Sequence, residues 1–238
     1  MPRPRKPAGP FRYFNSSPEV IRLVVMMYVR FPLCLRNVED LLFERGIDIC
    51  HETVRHWWNR FGPLFAADIR RQRVSRMRGF RQWKWHLDEV YVKINGKIHY
   101  LWRAVDQEGE ILESYVTRTR DKAAALRFMK KALKRHGSPE VITTDGLRSY
   151  RAAMDELDIG SKQEIGRCAN NRVENSHLPF RRRERAMLRF RQMKSLQKFA
   201  SVHANVHNHF SQERHLVDRQ TYKTRRSAAL AEWQSLMV

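Results

Sequence analysis

The stretch "WHLDEVYVKING", residues 85–96, sets two adjacent acids into a segment that otherwise has the pattern of a buried β-strand. Val90, Val92 and Ile94 share one face by the two-residue period of a strand. Asp88 has the same parity, so its carboxylate is expected to point toward the buried side of a sheet or toward a cleft at its edge. Because an unpaired buried carboxylate is very costly, this position predicts a protonated acid, a cationic partner or a bound metal ion.

The charge of the chain favours a nucleic acid as its partner. The 238 residues include 46 Lys and Arg and 25 Asp and Glu, which gives a net charge of +21. A compact protein with such an excess repels itself unless a polyanion neutralises it. The excess is also clustered, because residues 70–82 carry six Arg and no acid and residues 181–194 carry seven basic residues and one Glu. A membrane surface explains these clusters less well.

The composition excludes several other classes of protein. The hydrophobic fraction of 42% excludes a wholly disordered chain. The sequence has no apolar run long enough to span a membrane, and its first residues lack the apolar core of a signal peptide. Cys34, Cys50 and Cys168 have no CxxC spacing, which argues against a disulfide framework or structural zinc. We therefore expect a soluble protein of a reducing compartment.

The N-terminal part of the chain has the pattern of three short helices behind a Pro-rich, basic arm. Ser17 followed by Pro18 is a typical helix start, with Ser as the N-cap and Pro at the first helical position. A tight turn at Gly46 precedes the third helix. The predicted elements are a flexible arm over 1–17 and helices from Pro18 to Phe31, over about 36–43 and from His51 to Gly62-Pro63.

The third helix carries the first set of candidate DNA contacts. An apolar stripe with i, i+3, i+4, i+7 spacing begins at Val54 and ends at Phe61, so the polar residues of this helix turn outward. Three helices with a tight turn before the third resemble a helix-turn-helix module, whose last helix enters the major groove. An ordinary three-helix bundle fits the pattern as well, but the Arg-rich flanks favour DNA binding. The outward candidates are His51, Arg55, Asn59 and Arg60.

From Trp83 the period changes to that of strands. Asn95-Gly96 is a strong signal for a two-residue hairpin turn. Three antiparallel strands, a helical crossover and a fourth strand predict an α/β fold, a ribonuclease-H-like catalytic core with a mixed sheet and helices. The predicted strands are 84–94, 97–105, 111–117 and 140–146, and the predicted helices run from Asp121 to Gly137, over 149–157, from about Asn170, over 195–215 and over 221–237.

These segments group into five predicted parts. They are the arm at 1–17, an all-α helix-turn-helix module at 18–64, a basic linker at 65–82, the catalytic core at 83–194 and C-terminal helices at 195–238.

Acids at the ends of two strands form the candidate catalytic site. The crossover should bring strand four beside strand one, and therefore Asp145 next to Asp88. Glu174, near the start of a basic helix, is placed to complete the group. Converging acids repel one another unless cations lie between them, and Mg²⁺ prefers a few carboxylates with room for phosphate oxygens. Alone, Asp145 also fits a turn residue before a glycine, and Glu174 a solvated helix face.

The segments "DEVYVKINGKIHYLWRAVDQEGEILESYVTRTRDKAAALRFMKKAL", "VITTDGLRSY" and "NNRVENSH" resemble transposases of bacterial insertion sequences of the DDE class. The group is often called insertion-sequence family six, and the resemblance extends from near residue 17 to about residue 215. It implies that Asp88, Asp145 and Glu174 are catalytic ligands of two Mg²⁺ ions, with Mn²⁺ as a possible substitute.

The resemblance also implies an activity and a set of partners. The protein would bind the terminal inverted repeats of its element, cut the ends and join their 3′-hydroxyls to target DNA, in replicative, cointegrate-type movement. Double-stranded DNA is the implied partner, the protein would act as a dimer or higher homo-oligomer, and no membrane is involved. It would be a cytoplasmic bacterial protein, associated with the nucleoid when bound to DNA. The basic residues that would hold the terminal DNA are Arg181, Arg182 and Arg183.

The position of the third acid departs from the family pattern. The interval between Asp145 and Glu174 is several residues shorter than in most such enzymes. Glu164 and Glu184 are therefore alternatives. Glu174 is preferred because "NNRVEN" matches the family motif, whereas Glu184 lies within an Arg run and is more simply an intrahelical charge partner.

Two other functions fit parts of the sequence. A non-catalytic helix-turn-helix regulator would bind DNA but would not need the three acids to converge. A ribonuclease-H-like nuclease without strand transfer would share the metal site but would need no module that binds specific ends.

Three further sets of residues are interpreted without a catalytic role. Glu89 has the opposite strand parity to Asp88 and is not expected to be a metal ligand. A zinc site is one interpretation of His203, His207 and His209, but surface or DNA-facing residues explain them more simply. Stacking on unpaired bases is possible for Trp83, Trp85 and Trp102, but we expect at least two of them to pack in the core.

Overall fold

The computed structural model describes residues 9–76, 83–166, 170–187, 190–211 and 216–237. In chain order the helices are α1 (Pro18–Arg30), α2 (Leu35–Phe43), α3 (His51–Arg76), α4 (Lys122–His136), α5 (Arg148–Glu156), α6 (Asn171–Ala186), α7 (Met193–Phe210) and α8 (Arg219–Gln234), with a short 3-10 turn at Gly160–Lys162. The strands are β1 (Lys84–Ile94), β2 (Lys97–Asp106), β3 (Ile111–Thr117), β4 (Val141–Thr144) and β5 (Gln163–Ile165).

The five strands form one mixed sheet in the order β3-β2-β1-β4-β5. β1, β2 and β3 are antiparallel neighbours, whereas β4 pairs parallel with β1 and β5 pairs parallel with β4. The hairpin between β1 and β2 turns at Asn95 and Gly96, whose φ angles of 49° and 79° both lie in the left-handed region that such a turn requires. This topology confirms the predicted ribonuclease-H-like core. The sequence did not predict the three-residue strand β5.

Helices cover both faces of the sheet. On one face, Trp102 of β2 lies between Phe128 of α4 and Tyr150 of α5, with ring centroids 6.0 and 5.4 Å away. On the other face, Val92 and Leu101 belong to the main apolar cluster. That cluster also contains residues of α1, α2, α3, α6, α7 and α8, so the N-terminal helices, the C-terminal helices and one face of the sheet share a core.

The N-terminal module has the three helices that the sequence predicts. Ser17 caps α1, accepting a hydrogen bond from the Val20 amide at 3.4 Å. Part of the predicted flexible arm is packed, because Phe11 stacks on Phe61 of α3 with centroids 5.0 Å apart. Residues 1–8 of that arm lie outside the described residues.

The predicted end of the third helix at Gly62-Pro63 is wrong, because α3 continues to Arg76. A proline lacks the N–H that would bond the carbonyl four residues earlier, here that of Asn59. Lys198 of α7 supplies the missing donor: its Nζ lies 3.2 Å from the Asn59 carbonyl oxygen and 2.7 Å from Asn59 Oδ1. Residues 65–76 of the predicted linker are therefore helical, and 77–82 lie outside the described residues.

No helix in the described part of the chain is long and apolar enough to cross a membrane.

Gly62 allows the Trp58 ring to lie across α3, since a Cβ at this position would come within 2.6 Å of Trp58 Cε3. Gly→Ala inside a helix normally stabilises it by about 1 kcal/mol. Here we expect Gly62→Ala to lower the free energy of unfolding by about 1–3 kcal/mol, because the buried Trp58 must shift. Urea unfolding of both proteins measures this difference, and a stabilised variant would contradict the packing described.

Candidate active site

The parallel pairing of β1 with β4 creates the candidate site. Lys84 pairs with Val141 and His86 with Thr143, after which β4 ends. Asp88 and Asp145 follow these last pairs on the two strands. Ligand oxygens of Asp88, Asp145 and a third acid, Glu89, all lie within 4.8 Å of one another. The structure thus brings together two of the three acids that the sequence indicated.

Asp145 leaves the sheet where the backbone turns toward α5. Its Oδ1 accepts a hydrogen bond from the Leu147 amide at 3.0 Å, and Gly146 has a φ of +85°, which an L side chain rarely adopts. The side chain is 37% exposed. Asp145 therefore has the turn role that its sequence context suggests and is also part of the acidic group.

Asp88 is oriented by α6. Its Oδ2 accepts a hydrogen bond from His177 Nε2 at 3.1 Å. Burial lowers the pKa of His177, although its hydrogen bond to Asp88 raises it. The start of α6 is itself tied to β1, because Asn170 Nδ2 donates to the Leu87 carbonyl at 3.0 Å. A neutral imidazole thus holds the Asp88 carboxylate while leaving its other oxygen free.

Glu89 lies in the acidic group, although its strand parity is opposite to that of Asp88. Beyond His86 no residue of β4 pairs with β1, so side chains of both parities can reach the open edge of the strand. The Glu89 side chain is 2% exposed, and its Oε1 lies 2.5 Å from both Nε and Nη2 of Arg120. Arg120 Nη2 also lies 3.7 Å from Asp145 Oδ2, so one guanidinium joins the two acids.

Burial raises the pKa of Glu89 to about 7, although the Arg120 charge lowers it. The fully buried Tyr150 lies beside this carboxyl, and burial and the Glu89 charge raise the pKa of Tyr150 well above its usual value. The site therefore contains one carboxyl that titrates near neutral pH.

Glu174 is exposed in the first turn of α6 and is not one of the three acids that the structure groups. It precedes His177 by one helical turn, so the helix that carries it is the one that contacts Asp88. The two alternative acids have other partners. Glu164 lies 2.5 Å from Lys84 Nζ, and Glu184 lies 2.6 Å from Arg181 Nη1, which is the intrahelical pairing predicted for it.

The four polar residues of α3 that are candidate DNA contacts differ in their exposure and in their partners within the protein. Arg55 and Arg60 are exposed, with Arg55 3.3 Å from Glu52 of the same helix. His51 Nδ1 lies 2.8 Å from Glu39 Oε2, and Asn59 binds Lys198 as described above. Arg55 and Arg60 are therefore the more available candidates for DNA.

The three arginines after Glu174 have three different environments. Arg183 is 1% exposed, and its Nη1 donates to the Leu33 carbonyl at 2.9 Å, so the prediction that it binds DNA is wrong. Burial lowers its pKa to about 10. Arg181 is partly exposed and donates to the Tyr91 carbonyl at 2.6 Å. Of these three arginines, Arg182 is the exposed one, and no such anchor is among its described contacts.

The histidines of α7 are not surface residues as a group. His203 is 3% exposed and packs between Phe180 and Phe199, and burial lowers its pKa well below the usual value. Burial also lowers the pKa of His207 to about 4.

Of the three tryptophans considered for base stacking, Trp85 and Trp102 are in the core and Trp83 is exposed, in line with the prediction that at least two pack inside.

The sequence did not single out His177 or Arg120. His177 could have been found as the residue one turn after Glu174 on the same helix. Arg120 gives no local signal, because it lies in a loop and reaches Glu89 only through the fold.

Comparison with known proteins decides the family. A family model described as a DDE domain matches residues 82–213. The chain is 31% identical over 172 residues to the transposase for insertion sequence-like element IS431mec of Staphylococcus aureus, covering 70% of this chain and 75% of the relative. The transposase for insertion sequence element IS257 in transposon Tn4003, also of Staphylococcus aureus, matches with the same identity and coverage. The chain belongs to the DDE transposases of insertion-sequence family six.

This membership makes the protein a DNA transposase and therefore an enzyme, and nothing in the comparisons favours the non-catalytic regulator.

Among solved structures, the HTLV-2 integrase catalytic core domain in complex with magnesium is similar at 13% identity and a TM-score of 0.43, covering 62% of this chain and 95% of that one.

The raised pKa of Glu89 predicts a pH-dependent cost to folding. A glutamate with an ordinary pKa of 4.5 in the unfolded chain and of about 7 in the folded one binds more protons when folded. Ionisation of Glu89 should therefore cost the wild-type protein stability as the pH rises from 4.5 to 7, and Glu89→Gln lacks this cost, whereas the buried histidines contribute equally to both proteins. In metal-free buffer the variant should be the more stable at pH 8, by up to about 3 kcal/mol. Denaturant unfolding across this pH range tests it, and parallel profiles for the two proteins would contradict it.

Proposed function

We propose that this transposase cuts the ends of its element and joins their 3′-hydroxyls to target DNA at the site formed by Asp88 and Asp145. The observation that carries the proposal is the convergence of these two carboxylates, Asp88 within β1 and Asp145 just after β4, with an oxygen of each within 4.8 Å of the other. A regulator that only binds DNA has no use for such a convergence, whose mutual repulsion costs stability.

The donor set fits a divalent cation. Its oxygens are carboxylates, they lie within 4.8 Å of one another, and Asp145 is open to solvent on one side. Hard cations such as Mg²⁺ bind through one or two carboxylates and keep positions for phosphate oxygens. We propose Asp88, Asp145 and Glu174 as the residues that hold two Mg²⁺ ions, or Mn²⁺ in their place. Bound there, the ions would activate the attacking oxygen and stabilise the leaving oxygen of an in-line phosphoryl transfer.

Residues of the chain itself would prepare the site. His177 fixes the Asp88 carboxylate through the hydrogen bond to its Oδ2. Arg120 balances part of the negative charge by bridging Glu89 and Asp145. Glu174 is exposed one turn before His177, the residue that contacts Asp88, and we propose that it joins the site when DNA and metal are bound. These contacts supply preorganisation, because the carboxylates need little rearrangement on binding.

The N-terminal module would position the DNA. Arg55 and Arg60 project from α3, the helix that corresponds to the recognition helix of a helix-turn-helix module, and suit base edges and phosphates. Arg182, exposed on the helix that carries Glu174, would hold the terminal strand. We propose that the substrates are the terminal inverted repeats and target DNA, that at least two subunits assemble on them, and that the movement is replicative. With such substrates the protein would act in the bacterial cytoplasm, at the nucleoid.

The test removes one charge from the site without changing its shape. Asp88→Asn and Asp145→Asn should abolish nicking and joining of labelled element ends in Mg²⁺, because each removes a metal ligand. Binding of the same ends in metal-free buffer should change less than about threefold, since neither acid contacts the DNA in our proposal. Asp155→Asn, on the exposed face of α5, is the matched control and should retain activity. Wild-type strand transfer by either site variant would refute the assignment.

A further inference from the structure

An exposed aromatic side chain stands on the same strand as Asp88. Tyr91 of β1 is 58% exposed and pairs across the hairpin with Tyr100. It lies three residues beyond Asp88, a distance of about 10 Å along a strand. Ile98, opposite the neighbouring Lys93, is 49% exposed, so the open surface continues toward the hairpin turn.

Arg181 holds Tyr91 in place. Its Nη2 donates to the Tyr91 carbonyl at 2.6 Å, and its guanidinium carbon lies 5.2 Å from the centre of the Tyr91 ring, within cation–π range. Arg181 is fixed in turn by Glu184, 2.6 Å from its Nη1. A ring that is held before binding loses little conformational freedom when a partner stacks on it.

The charge around Tyr91 selects the kind of partner. Residues 90–105 contain no acid, and Lys93 and Lys97 are exposed on the hairpin. The exposed Arg191 lies at the hairpin turn, where its carbonyl accepts a hydrogen bond from Asn95 Nδ2 at 3.0 Å. A second copy of this surface would be repelled by it, whereas a nucleic acid would be attracted.

We propose that Tyr91, backed by Arg181, is a stacking platform for one base of the element end, close to the phosphate that would be cut at the acidic site. The inference rests on the proposed function of the acidic site. Successive nucleotides of one strand are about 3.4 Å apart, so a base about 10 Å from Asp88 lies roughly three nucleotides from that phosphate. Stacking on an aromatic ring tolerates any base, so the platform would hold the end without reading its sequence. Arg181 is thereby assigned to Tyr91 and not chiefly to a phosphate.

The test is a double-mutant cycle between the protein and the DNA. Wild-type protein and Tyr91→Ala are titrated, in metal-free buffer, with labelled duplexes of the element end that carry one abasic nucleotide at successive positions near the cleavage point. Tyr91→Ala should weaken binding of the intact end about tenfold, within the range measured for loss of one stacked base. On the duplex that lacks the stacked base, the same substitution should have no further effect. Tyr91→Phe should bind like the wild type.

Two controls separate stacking from other effects. Tyr13 is 84% exposed and also lies near an arginine, with Arg12 5.6 Å from its ring, so Tyr13→Ala removes a similar side chain elsewhere and should give no such position-specific pattern. The dependence of affinity on salt should be unchanged in Tyr91→Ala, because no phosphate contact is lost.

Several results would overturn the platform. One is that Tyr91→Ala weakens binding equally on every abasic duplex, and another is that it leaves the affinity for DNA unchanged. An unchanged affinity together with a change of oligomeric state would assign the face to a second copy. Nicking of the intact duplex in Mg²⁺ is scored in parallel. If the wild type nicks the DNA but the effect of Tyr91→Ala is the same on every abasic duplex, the platform alone is refuted. If that effect disappears on one abasic duplex but the wild type does not nick the DNA, the proposed function alone is refuted.

Discussion

The arrangement of the whole catalytic site depends on the parallel pairing of β1 with β4. Only three residue pairs join the two strands, from Lys84 with Val141 to His86 with Thr143. Since this pairing sets the register, it fixes Asp88 and Asp145 side by side at the point where β4 stops. A shift of one residue would move Asp145 about 3.3 Å along β1, out of its alignment with Asp88. The short length of β4 is equally important, because it leaves the edge of β1 open beyond the site.

Balance of charge explains much of what surrounds this edge. Three carboxylates within 4.8 Å would repel one another, and the protein offsets part of this with Arg120 on one side and with the hydrogen bond from His177 on the other. The basic helix α6 divides its arginines among separate tasks. Arg183 anchors the helix to the N-terminal module through Leu33, and Arg181 anchors the exposed Tyr91. The excess positive charge is therefore only partly available to DNA.

Local signals in the sequence predicted much of the fold. The bounds of β1 and β3, the Asn95-Gly96 turn and the Ser17 cap all follow from strand periodicity, turn chemistry and capping, which act between neighbours in the chain. They also placed Asp145 beside Asp88. Contacts distant in sequence decided the rest. α3 passes through Pro63 because Lys198, from a helix far along the chain, bonds the free carbonyl. Glu89 joins the acids because β4 ends early, and Arg183 is buried because two modules meet there. The proposal of Glu174 as the third metal ligand comes from the family resemblance.

A crystal of the transposase soaked in Mn²⁺ shows whether Asp88, within β1, and Asp145, just after β4, bind a divalent cation. Anomalous diffraction at the manganese edge locates the ion independently of the protein density. We expect a manganese peak beside both Asp88 and Asp145, at carboxylate distances of about 2.0–2.1 Å as for the small hard cation Mg²⁺, with Arg120 displaced from Asp145. A map with no peak between these two carboxylates, with Arg120 still bridging Glu89 and Asp145, would contradict it.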